Sequence, residues 1–425
     1  MSTTSEAVFA ELTENFGGAT DIDPYALYAR RRRSDPVMEG DIMTELGLPS
    51  FASAGGTRPA FTLFRYADVT AALRDHETFA SSVWLDLMDP LFGRTVLGMD
   101  GDEHRVWRGL LLPVFTRKAV AEWTETVVRP TAHEAVAELR AQGGKADLVP
   151  FAQHFPIRMI YEIIGLPRDD PQVYERFAVL AVTILLALAP PTDESQMAQA
   201  MAKFQRAVEA SEELRGLIAP IVAETRAQGA TANNLISHLI NAEYEDGRLD
   251  DDQIVSFIRA LLSAATENTT RQFLITLQLL LEHPEALDEV RADPSLLDRA
   301  LVEGERFDGP IATLTRITAR DVEVGGVLIP EGSGISLMIG SANRDEDAYP
   351  DPDVFDIHRK GPMPLVFGLG RHVCPGMNIA RSEIATTMLE MFDQLPGLRL
   401  DPDAPPAIRG VHARGPATLR VIWDS

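Results

Sequence analysis

Phe367-Gly368-Leu369-Gly370-Arg371-His372-Val373-Cys374-Pro375-Gly376 carries the only cysteine of the 425-residue chain. A lone cysteine forms no internal disulfide and no cysteine-rich metal cage. Free cysteines are usually buried core thiols, but the neighbours of Cys374 argue otherwise. Gly368, Gly370 and Gly376 remove side chains where something large approaches the backbone. A helical pattern from Met377 to Gln394 follows directly, so Cys374 sits near a helix N-terminus, where free amides and the positive dipole end favour a thiolate.

A thiolate held by amide donors, with Phe367 over it and Arg371 and His372 beside it, suits a haem iron whose macrocycle carries carboxylates. The spacing F-G-x-G-x-H-x-C-x-G, followed by Ala380-Arg381, resembles the haem loop of the cytochrome P-450 superfamily. The resemblance runs from about Asp23 to Trp423. It implies a mainly α fold with a small β lobe, a single domain over residues 1–425 whose first 22 or so residues are a flexible segment. Haem b is expected between a long central helix and the Cys-loop helix, with Cys374 as the proximal thiolate on iron. The implied enzyme is a monooxygenase that inserts one oxygen atom of dioxygen into an organic substrate and reduces the other to water. No flavin, nicotinamide or iron–sulfur motif is present, so electrons are expected from outside.

Composition fits this reading. A hydrophobic share of 45% with 24% charged residues is ordinary for a globular protein with a large core. A net charge of -24 argues against nucleic-acid binding, which needs a cationic surface. The one basic run, Arg30 to Arg33, reads as a solvated helix face. The polar, acidic N-terminus is unlike a targeting peptide, and the longest apolar run, Phe177 to Pro191, is too short to span a bilayer. The expectation is a cytoplasmic enzyme of the soluble bacterial type, without a membrane anchor.

Helical periodicity dominates the chain. Helices are expected over 103–113, 117–139 and 150–165, two more over 169–225 broken at Pro190-Pro191, and a long one from Asp252 to Glu282. Residues 59–65 read as a strand, 321–324 and 326–329 as strand segments flanking Gly325, and 417–423 as a closing strand pair. His76 to Gly101 loses period yet carries Trp84, Leu87 and Met88, which suits a loop lining a ligand cavity.

Glu303 and Arg306 lie three apart on one helix face. Such spacing usually makes a surface ion pair, but E-x-x-R is a family motif, and Arg359 matches its third partner. The resemblance makes this triad a structural lock beneath the haem. It also assigns His104, Arg108, Arg316 and His372 to the haem propionates, with Ala264, Phe367, Arg371 and Gly376 as further haem contacts. The central-helix segment Ala264-Ala265-Thr266-Glu267-Asn268-Thr269 is similar to A-G-x-[DE]-T but has alanine for glycine and asparagine for threonine. In the family the acid and alcohol help deliver protons during dioxygen activation. Glu267 keeps the acid; an amide passes a proton less readily than a hydroxyl, so either Asn268 with ordered water takes the relay, or Thr269 does, or coupling suffers.

Trp84, Leu87, Met88, Leu261, Ala264, Ile311 and Leu314 are candidate cavity walls, with Thr313 and His412 as polar anchors. They suggest an apolar terpenoid, steroid or fatty-acid-like substrate. The run Leu180 to Leu188 either roofs that cavity or belongs to the core. Expected partners are a ferredoxin and its NAD(P)H-dependent reductase, docking on a basic patch of Arg105, Arg117, Lys118 and Arg371. A peroxide-driven peroxygenase and a non-catalytic haem or ligand-binding relative stay open as alternatives.

Overall fold

The computed structural model describes residues 4–15, 22–53, 57–166, 171–188, 194–245 and 247–424. Its axis is the helix Asp251–Glu282, 32 residues long and so about 48 Å from end to end. Asp250 starts it with a capping box: its carboxylate accepts from the Gln253 amide at 2.8 Å, and the Gln253 side chain accepts from the Asp250 amide at 2.9 Å. The helix stops at His283, before Pro284. From Phe273 to Leu280 every residue is buried, as expected of a helix wrapped on all sides. It packs against the helices Leu148–Ile164, Met197–Ala227, Leu297–Phe307 and Met377–Gln394.

The β lobe is one five-stranded sheet with three small companions. In spatial order its strands are Val37–Glu39, Ala60–Leu63, Gly334–Leu337, Leu314–Thr318 and Phe79–Ala80. Ala60–Leu63 and Gly334–Leu337 run parallel, with Phe61 opposite Ile335; the other pairs are antiparallel. The expected strand segments pair as a hairpin, Val322–Val324 with Val327–Ile329, its turn made by Gly325 and Gly326 at φ of 57° and 82°. Arg420–Ile422 closes the chain between Lys145–Asp147 and Arg399–Leu400.

Helices appear at Gly101–Leu111 and Leu148–Ile164, and over Arg117–Arg140 with a π-helical turn at Thr124–Val128. Pro171–Leu185 and Met197–Ala227 form the expected pair; Pro190-Pro191 lies outside the described residues. Among the described residues no helix is long and apolar enough to cross a membrane.

Three expectations need correction, and one open alternative is decided. The N-terminal segment is not merely a flexible tail: Ser5–Asn15 is a helix whose Val8, Phe9 and Leu12 are buried, because a short apolar stripe finds a partner in Pro171–Leu185. His76–Gly101 is not all loop but contains the helix Leu85–Phe92, which tolerates Pro90. Leu180 and Ile184 are core, and Val182 and Leu186 pack under the N-terminal helix. The arginine run is not uniformly solvated. Arg32 is buried and donates to Ser341 O at 3.0 Å and to Glu346 at 2.8 Å, whereas Arg33 is exposed.

Candidate active site

The Cys374 loop is a folded knot at the entrance to the helix Met377–Gln394. The Cys374 amide donates to Phe367 O at 2.8 Å, the Gly368 amide to Leu365 O at 2.8 Å and the Val373 amide to Gly370 O at 3.2 Å. Gly370 is obligatory: its φ is +77°, and a Cβ there would stand 2.6 Å from the Leu73 carbonyl. Burial pushes the Cys374 thiol up, while the amides of Gly376 and Met377 and the Arg108 charge oppose it. Pro375 has no N–H to add. A cation on the sulfur would favour the thiolate here, which is the chemistry of a metal ligand. Phe367 is stacked from behind by Arg381, whose guanidinium lies 5.4 Å from the ring centroid and pairs with buried Glu305 at 2.5 Å.

A group of cationic side chains adjoins this loop. His104 and Arg108 share the helix Gly101–Leu111, and the rings of His104 and His372 lie 4.2 Å apart. Arg108 Nη2 donates to the Val373 carbonyl at 2.5 Å. Arg316 is buried on the strand Leu314–Thr318 and donates to the Thr315 carbonyl at 2.8 Å. Among the described residues no carboxylate lies within 4.0 Å of the Arg108 or Arg316 guanidinium. Burial lowers the affinity of both arginines for their protons, Arg316 to about 10. Burial also holds His104 down to about 4, with His372 and Arg108 adding to the effect, and its Nε2 is buried without a hydrogen-bond partner. Asp100 is the one acid in the group, accepting from His372 at 3.4 Å and from the Ser81 amide at 2.8 Å.

Two desolvated guanidiniums, an orphaned imidazole nitrogen and a thiol whose thiolate a cation would favour call for a group with anionic arms and a central metal. These residues fit a haem with its two propionates.

Glu303, Arg306 and Arg359 meet as one cluster. Arg306 grips the Glu303 carboxylate in a fork, at 2.8 and 2.7 Å, and Arg359 Nε donates to it at 3.1 Å. Arg306 also donates to the carbonyls of Asn343, Pro352 and Val354, and Arg359 to those of Asp351 and Val354. The irregular chain over 343–359 is thus tied to the helix Leu297–Phe307.

On the central helix, Ala264 is exposed although Ser263 and Thr266 are buried, so the helix offers a flat, open face there. The helix passes through 264–269 as regular α-helix. The Thr266 hydroxyl donates to Leu262 O at 2.8 Å, a bond internal to the helix. Glu267 is ion-paired with Arg271 one turn on, both of them buried. Asn268 is half-buried, and Thr269 is buried at 6% exposure.

Among the candidate walls, Trp84 packs on Phe51 with the rings tilted and their centroids 4.9 Å apart. Leu314 lies 3.7 Å from the Cβ position of Gly368 and so flanks the Cys374 loop. Thr313 and His412 line one cleft together with Met43, Ser50 and Phe51. Leu261 and Ile311 are half-buried. Met88 is core rather than wall, packed with Leu91, Phe92 and Leu110; the Leu87 side chain lies outside the described residues. Of the basic patch, Arg117, Lys118 and Arg371 are exposed, but Arg105 is bound to Glu245 at 2.6 Å and to Asp102 at 3.3 Å.

Sequence reasoning missed Asp100, Arg271 and the Glu305 partner of Arg381. The i,i+4 spacing of Glu267 and Arg271 was a visible signal; the long-range partners of Asp100 and Arg381 had none.

A family model described as Cytochrome P450 matches residues 45–396. Pulcherriminic acid synthase of Bacillus subtilis (strain 168) is 29% identical, over 98% of this chain and 98% of its own length. Nocardicin C N-oxygenase of Nocardia uniformis subsp. tsuyamanensis is 34% identical, over 77% of this chain and 79% of its own. The solved structure of cytochrome P450 CYP109Q5 from Chondromyces apiculatus superimposes with a TM-score of 0.78 at 27% identity, covering 94% of this chain and 95% of that one.

Proposed function

The chain belongs to the cytochrome P450 family, an oxygenase acting on small organic molecules, and from that premise we propose that it is a haem-thiolate monooxygenase with Cys374 as the iron ligand. A bound haem supplies the iron that activates dioxygen. Arg108, Arg316 and His104 hold its propionates, His372 orders Asp100 beside them, and the Gly376 and Met377 amides steady the sulfur. Ala264, exposed on the central helix, would be a further contact for that haem. Glu267, which rests paired with Arg271, is the acid that passes on the proton the reaction consumes once it is released, and half-buried Asn268, on the same helix face as Ala264, orients water toward it.

The observation that carries this reading is the pair of guanidiniums, half-buried Arg108 and buried Arg316, with no carboxylate partner among the described residues, beside the half-buried Cys374. Apolar walls at Leu261, Ile311 and Leu314, with His412 and Thr313 in one cleft, support an apolar terpenoid, steroid or fatty-acid-like substrate bearing one polar group. Exposed Arg117, Lys118 and Arg371 remain for an acidic ferredoxin, itself reduced by an NAD(P)H-dependent reductase.

Substrate turnover with ferredoxin, reductase and NAD(P)H, set against turnover with hydrogen peroxide alone, tests the proposal. Product only in the first supports it; product only with peroxide marks a peroxygenase, and none in either marks a binding protein.

A further inference from the structure

Arg271, which holds the Glu267 carboxylate, is itself held from outside the central helix. Its Nη2 donates to Thr13 Oγ1 at 2.7 Å, and that hydroxyl donates to Phe9 O at 2.9 Å, which leaves its lone pairs for the guanidinium. On its other side Arg271 faces Gly415, where a Cβ would lie 3.6 Å from Nη1. The guanidinium is therefore enclosed between the N-terminal helix and the short antiparallel pair of Ile408–Arg409 with Gly415–Pro416.

The N-terminal helix that supplies Thr13 is docked by a small set of contacts. Val8, Phe9 and Leu12 bury against Ile157, Val179 and Ala413. Glu11 pairs with Arg206 at 3.0 Å, and the Ser5 amide donates to Glu175 at 2.8 Å. A helix of 11 residues is marginal alone, so it stays formed only while docked, and it can lift without unfolding the core.

We propose that the N-terminal helix is a latch on Glu267: Thr13 fixes Arg271, and Arg271 keeps the carboxylate from passing on protons until the helix lifts. The inference rests on the monooxygenase reading for the use of those protons. A carboxylate gripped by a buried guanidinium is fixed in orientation and cannot turn to relay protons. Release requires Arg271 to move, and Thr13 holds it from outside the central helix. Docking of the helix and freedom of Glu267 are then linked, each changing the other.

Hydrogen–deuterium exchange on the haem-loaded enzyme, with Thr13→Val, Thr13→Ser and Arg271→Gln, tests the latch. Losing a hydrogen bond to a charged group should speed amide exchange over residues 5–15 by about tenfold in Thr13→Val and Arg271→Gln. Thr13→Ser keeps the hydroxyl and should match the wild type. In the same preparations, peroxide released per NAD(P)H consumed with ferredoxin and reductase should fall in Thr13→Val, because a freed Glu267 competes better with peroxide loss. Unchanged exchange in both variants overturns the latch, as does faster exchange with unchanged peroxide release. Failure of the monooxygenase reading looks different: no NAD(P)H-supported turnover in any variant, with the exchange result still deciding whether Thr13 and Arg271 hold the helix.

Discussion

Arg108 Nη2 donates to the carbonyl of Val373, the residue before Cys374, at 2.5 Å. One guanidinium thus ties the helix Gly101–Leu111 to the cysteine loop while facing the thiol, and it has no carboxylate of its own among the described residues. Arg108→Gln keeps hydrogen-bonding capacity but loses the charge. Its haem-to-protein ratio after purification should fall well below that of the wild type, by about tenfold in affinity if one charge-assisted bond is lost, with the helical circular dichroism unchanged. Equal haem retention would remove Arg108 from the haem contacts.

The buried Glu303–Arg306 fork, joined by Arg359, predicts a stability effect. Arg306→Met leaves the Glu303 carboxylate buried against Arg359 alone and should cost roughly 3–5 kcal/mol, read as a large drop in thermal midpoint. Arg359→Met removes only one of the two cations and should cost less. The reverse ranking would contradict the geometry.

On the central helix, Asn268 shares the face of open Ala264, whereas Thr269 is buried. Asn268→Ala should lower the fraction of NAD(P)H electrons reaching product and release more peroxide, and Asn268→Thr should keep or raise that fraction. Thr269→Ala should be nearly silent. Damage confined to Thr269→Ala would transfer the relay to that residue.

His412 supplies a pH dependence. Burial, against the nearby Glu267 charge and aided by Arg271, depresses its pKa from 6.5 to about 4. Between these values the unfolded chain binds a proton and the folded one does not, so the contribution to stability is present above pH 6.5 and is lost as pH falls toward 4. The loss is at most on the order of 3 kcal/mol. Denaturant titrations at pH 7 and pH 4.5 should show a smaller difference in His412→Phe than in the wild type. An unchanged difference would mean that His412 titrates normally.

The cysteine loop, the Glu303–Arg306 pair and the long central helix were legible because each is local: fixed spacing, a helical period, a cap. Arg359 was legible only through the family resemblance. The N-terminal helix escaped notice because its three apolar residues, Val8, Phe9 and Leu12, form a stripe too short to stand alone. Arg32 was misread because local charge density says nothing of Ser341 and Glu346, more than 300 positions away. The partner of Glu267 was four residues on, but Thr13, which fixes that partner, lies 258 positions back. Sequence patterns report chemistry within a turn or a strand; tertiary contacts decide which charges are free to act.

The central claim is that Cys374 binds iron as a thiolate, and the absorption spectrum of the dithionite-reduced, carbon monoxide-bound enzyme tests it most directly. The wild type should show the strongly red-shifted Soret band of a thiolate-ligated haem, and Cys374→His should move that band to the histidine-type position. A histidine-type band in well-folded wild-type protein would contradict the assignment.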